Sequence, residues 1–82
     1  MNTNIEIKDE IKKIFFVVFQ NMNEQEFSWE KQQKDFENWD SFAQLNLITL
    51  VEAKFDISFS LDEATEIKSA NELFECIKSH LT

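Results

Sequence analysis

The chain has 82 residues and a net charge of −8: sixteen acids stand against eight lysines, and arginine is absent. Nucleic-acid binding needs basic side chains to neutralise phosphates, so this balance argues against it. An anionic membrane surface would repel the chain as well.

A chain of this length makes one domain, 1–82, with a modest single core. Nine Phe and two Trp supply large apolar side chains for that core. Gly and Pro are absent, so any turn that needs a positive φ must use Asn or Asp. That handicaps hairpins and favours helices joined by loops, an all-α fold. The longest apolar run, residues 14–19, is far too short for a bilayer. Residues 5–10 are too charged for a signal peptide. The lone Cys76 cannot form an internal disulfide and fits a reducing compartment. A cytoplasmic protein without membrane insertion is expected.

Helix starts are legible. A capping box sets Ser or Thr three residues ahead of Glu or Gln. Such pairs occur at Thr3 and Glu6, Ser41 and Gln44, Ser60 and Glu63, and Ser69 and Glu72, which predicts four helices. The first helix puts Ile7, Ile11, Ile14, Phe15, Val18 and Met22 on one face, with Asn21 or Asn23 at its end. A long loop then spans residues 23–40. Loops of that length are usually functional or tied down. Phe27, Trp29, Phe36 and Trp39 would tie it by packing into the bundle, with a short helical turn around residues 28–33.

The second helix is expected over residues 42–55. At about 100° per residue, Phe42, Leu47, Ile48, Leu50, Val51 and Phe55 cover most of its circumference. Leu45, Asn46, Thr49, Glu52 and Ala53 are left for solvent. Such a helix is buried on several sides or lines an apolar cleft. Leu45 lies in the polar arc one turn from Ser41, which makes it a candidate partner contact. Residues 55–60 alternate like a strand but have no partner strand, so they are read as a loop with apolar anchors. A short third helix covers about 61–67, and the fourth turns Ala70, Leu73, Phe74, Ile77 and Leu81 inward.

The dipeptide Asp40-Ser41 opens the second helix. From local sequence, Ser41 or Asp40 is the N-cap, a role worth about 1 kcal/mol. A helix N-terminus also suits an attached phosphate, because its free N–H groups and dipole favour an anion. The two readings are compatible, since Asp40 can cap once the Ser41 hydroxyl is esterified.

Asp40-Ser41-Phe42, followed by Leu45, Leu47, Ile48, Val51, Glu52 and Phe55-Asp56-Ile57, resembles the signature of the acyl carrier protein family. Residues 61–67 resemble that family's third helix, and Ser69-Ala70-Asn71-Glu72-Leu73 the start of its fourth. The similarity runs in register over residues 38–81. It implies a four-helix bundle of acyl-carrier type, with a long first loop and a short third helix. It also implies a 4′-phosphopantetheine arm on Ser41, installed from coenzyme A by a phosphopantetheinyl transferase, whose thiol holds acyl or aminoacyl groups as thioesters. Asp40 matches the acid that approaches the transferase's magnesium ion. Phe42, Leu45, Thr49, Glu52 and, on the third helix, Ile67 match positions where carriers meet partner enzymes. The chain would catalyse nothing itself. It would be a monomeric substrate for loading and acyl-transfer enzymes with basic docking patches.

The sequence also departs from the family pattern. Phe42 replaces the usual Leu, Trp39 stands where Gly is common, and Ser60 where Pro is frequent. Ala53 and Lys54 replace acids, and Gln44 and Asn46 dilute the acidic face further. Residues 37–41 resemble free-standing carriers of specialised pathways. The competing reading is an interaction module of the same fold, docking through the second helix with Ser41 unmodified.

No catalytic constellation is visible. His80 reads as a solvated end residue with no cysteine or second histidine to join it, so no metal ligand set is expected. Cys76 reads as a packed thiol. Asp62, Glu63 and Glu66 read as a solvated face and a docking surface second.

Overall fold

The computed structural model describes residues 4–20, 22–36 and 38–81. Thr3 of the first capping box, Asn21 and Glu37 lie outside the described residues. Four α-helices and no strand occur among those described: α1 (Asn4–Val18), α2 (Ser41–Phe55), α3 (Leu61–Glu66) and α4 (Ala70–Leu81). Among the described residues, no helix is long and apolar enough to cross a membrane.

The core is built from one stripe per long helix. Ile7, Ile11, Ile14 and Phe15 of α1 meet Ala43, Leu47, Ile48, Val51 and Phe55 of α2 and Ala70, Leu73, Phe74 and Ile77 of α4. Burial of these faces out of water is what holds short helices together. α1 ends at Val18, short of the predicted Asn, and Met22 packs against the core from beyond the helix. Leu81, expected inward, is exposed because the last turn of α4 runs past the end of the core.

α2 is less buried than its composition suggests. Leu47, Ile48, Val51 and Phe55 are covered, but Phe42 and Leu50 face solvent. Its apolar residues exceed what the core takes, and the surplus lies on the surface. The helix ends where Asp56 adopts a left-handed conformation, φ 54° and ψ 50°. With no Gly available, Asp is among the residues that tolerate it best. The backbone N–H groups of Asp56 and Ile57 both donate to the Glu52 carbonyl.

The long first loop is tied down by aromatic packing. Trp39 is buried, its ring T-shaped against Phe15 at 5.5 Å and against Phe36 at 5.3 Å. Phe27 and Trp29 pack edge-on at 5.1 Å, and Phe27 meets Phe15 at 5.3 Å. Such pairs add about 0.5–1.5 kcal/mol each beyond burial. The loop's helical turn is a 3-10 segment at Gln33–Asp35, later than expected. Backbone bonds join the loop to the α3–α4 junction: Gln33 N–H donates to Lys68 O, and Asn71 N–H donates to Trp29 O. The stretch after α2 is a loop, anchored by half-buried Ile57 and Phe59.

Candidate functional site

Asp40, not Ser41, caps α2. Asp40 has extended backbone, φ −96° and ψ −171°, and its Oδ1 accepts from the Ala43 N–H at 2.9 Å. Ser41 is the first helical residue, and it is exposed. The predicted Ser41–Gln44 box therefore does not form. The carboxylate one residue earlier takes the capping role at the Ala43 N–H, and the Gln44 N–H donates to the Asp40 carbonyl.

Gln44 does something else. Its Oε1 accepts from the buried Trp39 indole at 2.6 Å, while its amide donates to the carbonyls of Ala64 at 2.6 Å and Ile67 at 3.1 Å. One side chain thus fixes the end of the long loop, the first turn of α2 and the last turn of α3. Gln33 reinforces it by donating from Nε2 to the Trp39 carbonyl at 3.0 Å. No buried side-chain nitrogen or oxygen among the described residues lacks a hydrogen-bond partner.

These clamps set α3 beside α2 and leave a groove of about 370 Å³ with Ser41 in its lining. Ile48 and Ala64 give it apolar walls, Leu45 and Leu61 border it, and Gln44 and Lys68 supply polar atoms. Leu45 is 65% exposed, Leu61 80% and Phe42 76%. These three large apolar side chains, and Leu50 with them, stand in solvent on the two helices that form the groove. Leu61 is the member that sequence reasoning overlooked. Its signal was its place directly after the Ser60 cap, where nothing obliges a side chain to face the core.

The other candidate contacts divide. Thr49 is exposed, and its hydroxyl donates back to the Leu45 carbonyl at 2.8 Å. Glu52 is half-buried, and its Oε2 accepts from the Phe59 N–H at 2.8 Å, which pins the loop before α3. Ile67, expected on the docking face, is 4% exposed. It caps the C-terminus of α3 with extended backbone, and that change of direction turns its side chain into the core.

α3 starts on a complete capping box. Ser60 N–H donates to Glu63 Oε1 at 2.9 Å, and Glu63 N–H donates to Ser60 Oγ at 3.1 Å. At α4 only half of the predicted box forms. Ser69 Oγ accepts from Glu72 N–H, but the Glu72 carboxylate turns to the Lys68 N–H instead.

His80 is not a free solvated end. Its Nε2 lies 3.0 Å and 3.1 Å from the two Glu63 oxygens, and its ring packs on Phe59 at 5.2 Å. The Cys76 thiol donates to Glu63 Oε2 at 3.5 Å. One helical turn separates Cys76 from His80, and the fold brings Glu63 across from α3 to meet both. The Ser60 N–H first, then His80, hold the Glu63 carboxyl down at about 2. Burial first, then the Glu63 carboxylate, push the Cys76 thiol up to about 11.

No protein-family model matches the chain, and no curated protein does. Among solved structures it is similar to the solution structure of a holo acyl carrier protein from Geobacter metallireducens. The TM-score is 0.77 and the identity 28%, over 92% of this chain and 85% of that one.

Proposed function

We propose that this chain, which has the fold of the acyl carrier proteins, tethers acyl or aminoacyl groups on a 4′-phosphopantetheine arm joined to Ser41. The observation that carries the reading is the division of labour at one helix start. Asp40 caps α2, so the adjacent Ser41 hydroxyl is exposed on an apolar-walled groove instead of being engaged as the cap.

The residues present fit the group. A phosphodiester on Ser41 would sit at the positive end of a 15-residue helix. Lys68 lines the same groove and offers a cation, while Ile48, Leu45 and Leu61 offer apolar surface to a flexible chain. When bound, the arm supplies a terminal thiol that holds cargo as a thioester.

The protein's own residues then present and release. Phe42 and Leu45 stand exposed beside Ser41, as apolar anchors for an enzyme surface do. Asp40 at the start of α2 and Asp62 and Glu66 on α3 are exposed and favour partners with basic patches. Steering by a net charge of −8 gives fast, salt-sensitive encounters, which suits a carrier that must leave each partner. Tethering raises the effective concentration of the cargo without any catalysis by the carrier. The partners in this reading are a phosphopantetheinyl transferase and the loading and acyl-transfer enzymes of a cytoplasmic pathway, acting on a monomer.

Coexpression with a broad-specificity transferase tests it. The intact mass should rise by one phosphopantetheinyl group, and Ser41→Ala should not change mass. A folded wild-type chain that no such transferase modifies overturns the reading.

A further inference from the structure

We propose that Glu63, Cys76 and His80 form a binding site for a divalent transition-metal ion of borderline softness, Zn²⁺ foremost, that staples α3 to α4. The site is separate from Ser41 and does not depend on its modification.

The geometry carries the proposal. One ligand atom from each residue lies within 4.8 Å of the other two. His80 Nε2 and Cys76 Sγ both converge on Glu63 Oε2, at 3.0 Å and 3.5 Å. Tetrahedral zinc with sulfur, nitrogen and oxygen ligands sets its ligand atoms about 3.3–3.8 Å apart. Two of the three separations, 3.0 Å and 3.5 Å, lie close to that range and the third is within 4.8 Å, so small side-chain rotations would bring the three atoms onto one ion, with the fourth vertex open to a solvent molecule. A thiolate, an imidazole and a carboxylate together select Zn²⁺ or Co²⁺ over Mg²⁺ or Ca²⁺, which prefer oxygen alone.

The surroundings orient the ligands. Glu63 Oε1 is held by the Ser60 N–H at 2.9 Å, which leaves Oε2 directed at α4. The Phe59 ring packs on the His80 imidazole at 5.2 Å and fixes its plane. Supports of this kind preorganise a metal site. In the metal-free protein, His80 Nε2 lies within hydrogen-bond distance of both Glu63 oxygens and the Cys76 thiol donates to Oε2. Binding replaces both: the thiol proton passes to solvent, and the imidazole binds through the Nε2 lone pair with its hydrogen on Nδ1.

The consequence falls on α3. That helix has only six residues, none of them buried, and it forms one side of the Ser41 groove. A metal link to α4 would add a second anchor to the Gln44 clamp and stiffen that wall.

Cobalt titration of the reduced full-length protein tests the site. The expected result is a thiolate-to-cobalt charge-transfer band that saturates at one Co²⁺ per chain and is displaced by Zn²⁺. Cys76→Ser should abolish the band. His80→Ala and Glu63→Gln should each weaken binding by about tenfold or more; Gln at position 63 keeps the capping acceptor, so α3 still forms. Asp62→Asn, which alters the acidic surface but not the cluster, should bind as the wild type does. Ser41→Ala should behave likewise. A folded protein without the band overturns the proposal. So does a band whose affinity is unchanged in His80→Ala, or one weakened as much by Asp62→Asn.

Discussion

The Trp39 indole N–H donates to Gln44 Oε1 at 2.6 Å, and the same Gln44 amide holds two carbonyls at the end of α3. The departures from the family pattern at positions 39 and 44 are therefore parts of one device. A tryptophan in the core needs an acceptor for its N–H, and a glutamine one turn into α2 supplies it. The freed amide then locks α3 beside Ser41.

Gln44→Leu should break that device. It leaves the buried indole N–H and the Ala64 and Ile67 carbonyls without their partner, at a cost of about 1–3 kcal/mol. Urea unfolding should show the loss as a lower midpoint at unchanged slope. Adding Trp39→Phe should cost less in the Gln44→Leu background than in the wild type, because the donor is removed with its acceptor. Strict additivity would contradict the pairing.

The cap at α2 separates charge from hydrogen bonding. Asp40→Ala should cost about 1 kcal/mol of stability, and Asp40→Asn much less, since Asn caps equally well. If Asp40 also serves the transferase's magnesium ion, as its match to the family's acid implies, Asp40→Asn should slow modification of Ser41 while leaving thermal stability near the wild type. Equal modification rates for the two chains would confine Asp40 to capping.

Leu45 is 65% exposed, so its replacement should be felt by partners and not by the fold. Leu45→Glu should change unfolding free energy by no more than about 0.5 kcal/mol. It should lower kcat/KM for the transferase by about tenfold, the loss of one apolar anchor worth ~1.4 kcal/mol. A stability loss matching the activity loss would show that Leu45 packs inside.

Glu63 makes a pH-dependent contribution whose sign follows from its depressed pKa, about 2 against an ordinary 4.5. The folded protein favours the carboxylate, so the stabilisation is fully present above about pH 4.5 and is lost as pH falls through about 2. With a chelator present, the stability difference between wild type and Glu63→Gln should shrink steadily across that window. Urea midpoints measured at intervals through it check this, and a difference independent of pH would contradict it.

Much of the fold was legible because local signals agreed with each other. The Ser60–Glu63 box forms as written, the α1 stripe is the core face, and the aromatic residues of the long loop bury it. Position 56, where the absence of Gly demanded Asn or Asp, is an Asp with positive φ. What failed were inferences needing distant partners. Periodicity cannot say how much of an apolar helix its neighbours cover, so it did not tell that Phe42 and Leu50, on the apolar arc of α2, face solvent. Nor can it say that a change of chain direction after α3 buries Ile67. Gln44 looked like a diluted acidic face because its partners lie in another loop and another helix. The Glu63–Cys76–His80 cluster was hidden for the same reason: Cys76 and His80 share a helix face at i and i+4, but Glu63 stands 13 residues earlier than Cys76. At the start of α2 the sequence left the cap open between Ser41 and Asp40; the structure gives it to Asp40 and leaves Ser41 exposed.

The proposed carrier role rests on Ser41. Its most direct test is to incubate the purified, unmodified protein with coenzyme A and a broad-specificity transferase, then fragment the product by mass spectrometry. The expected product carries a single phosphopantetheinyl group located on Ser41, and Ser41→Ala carries none. A wild-type chain that stays unmodified, or a group found on any other serine, would contradict it.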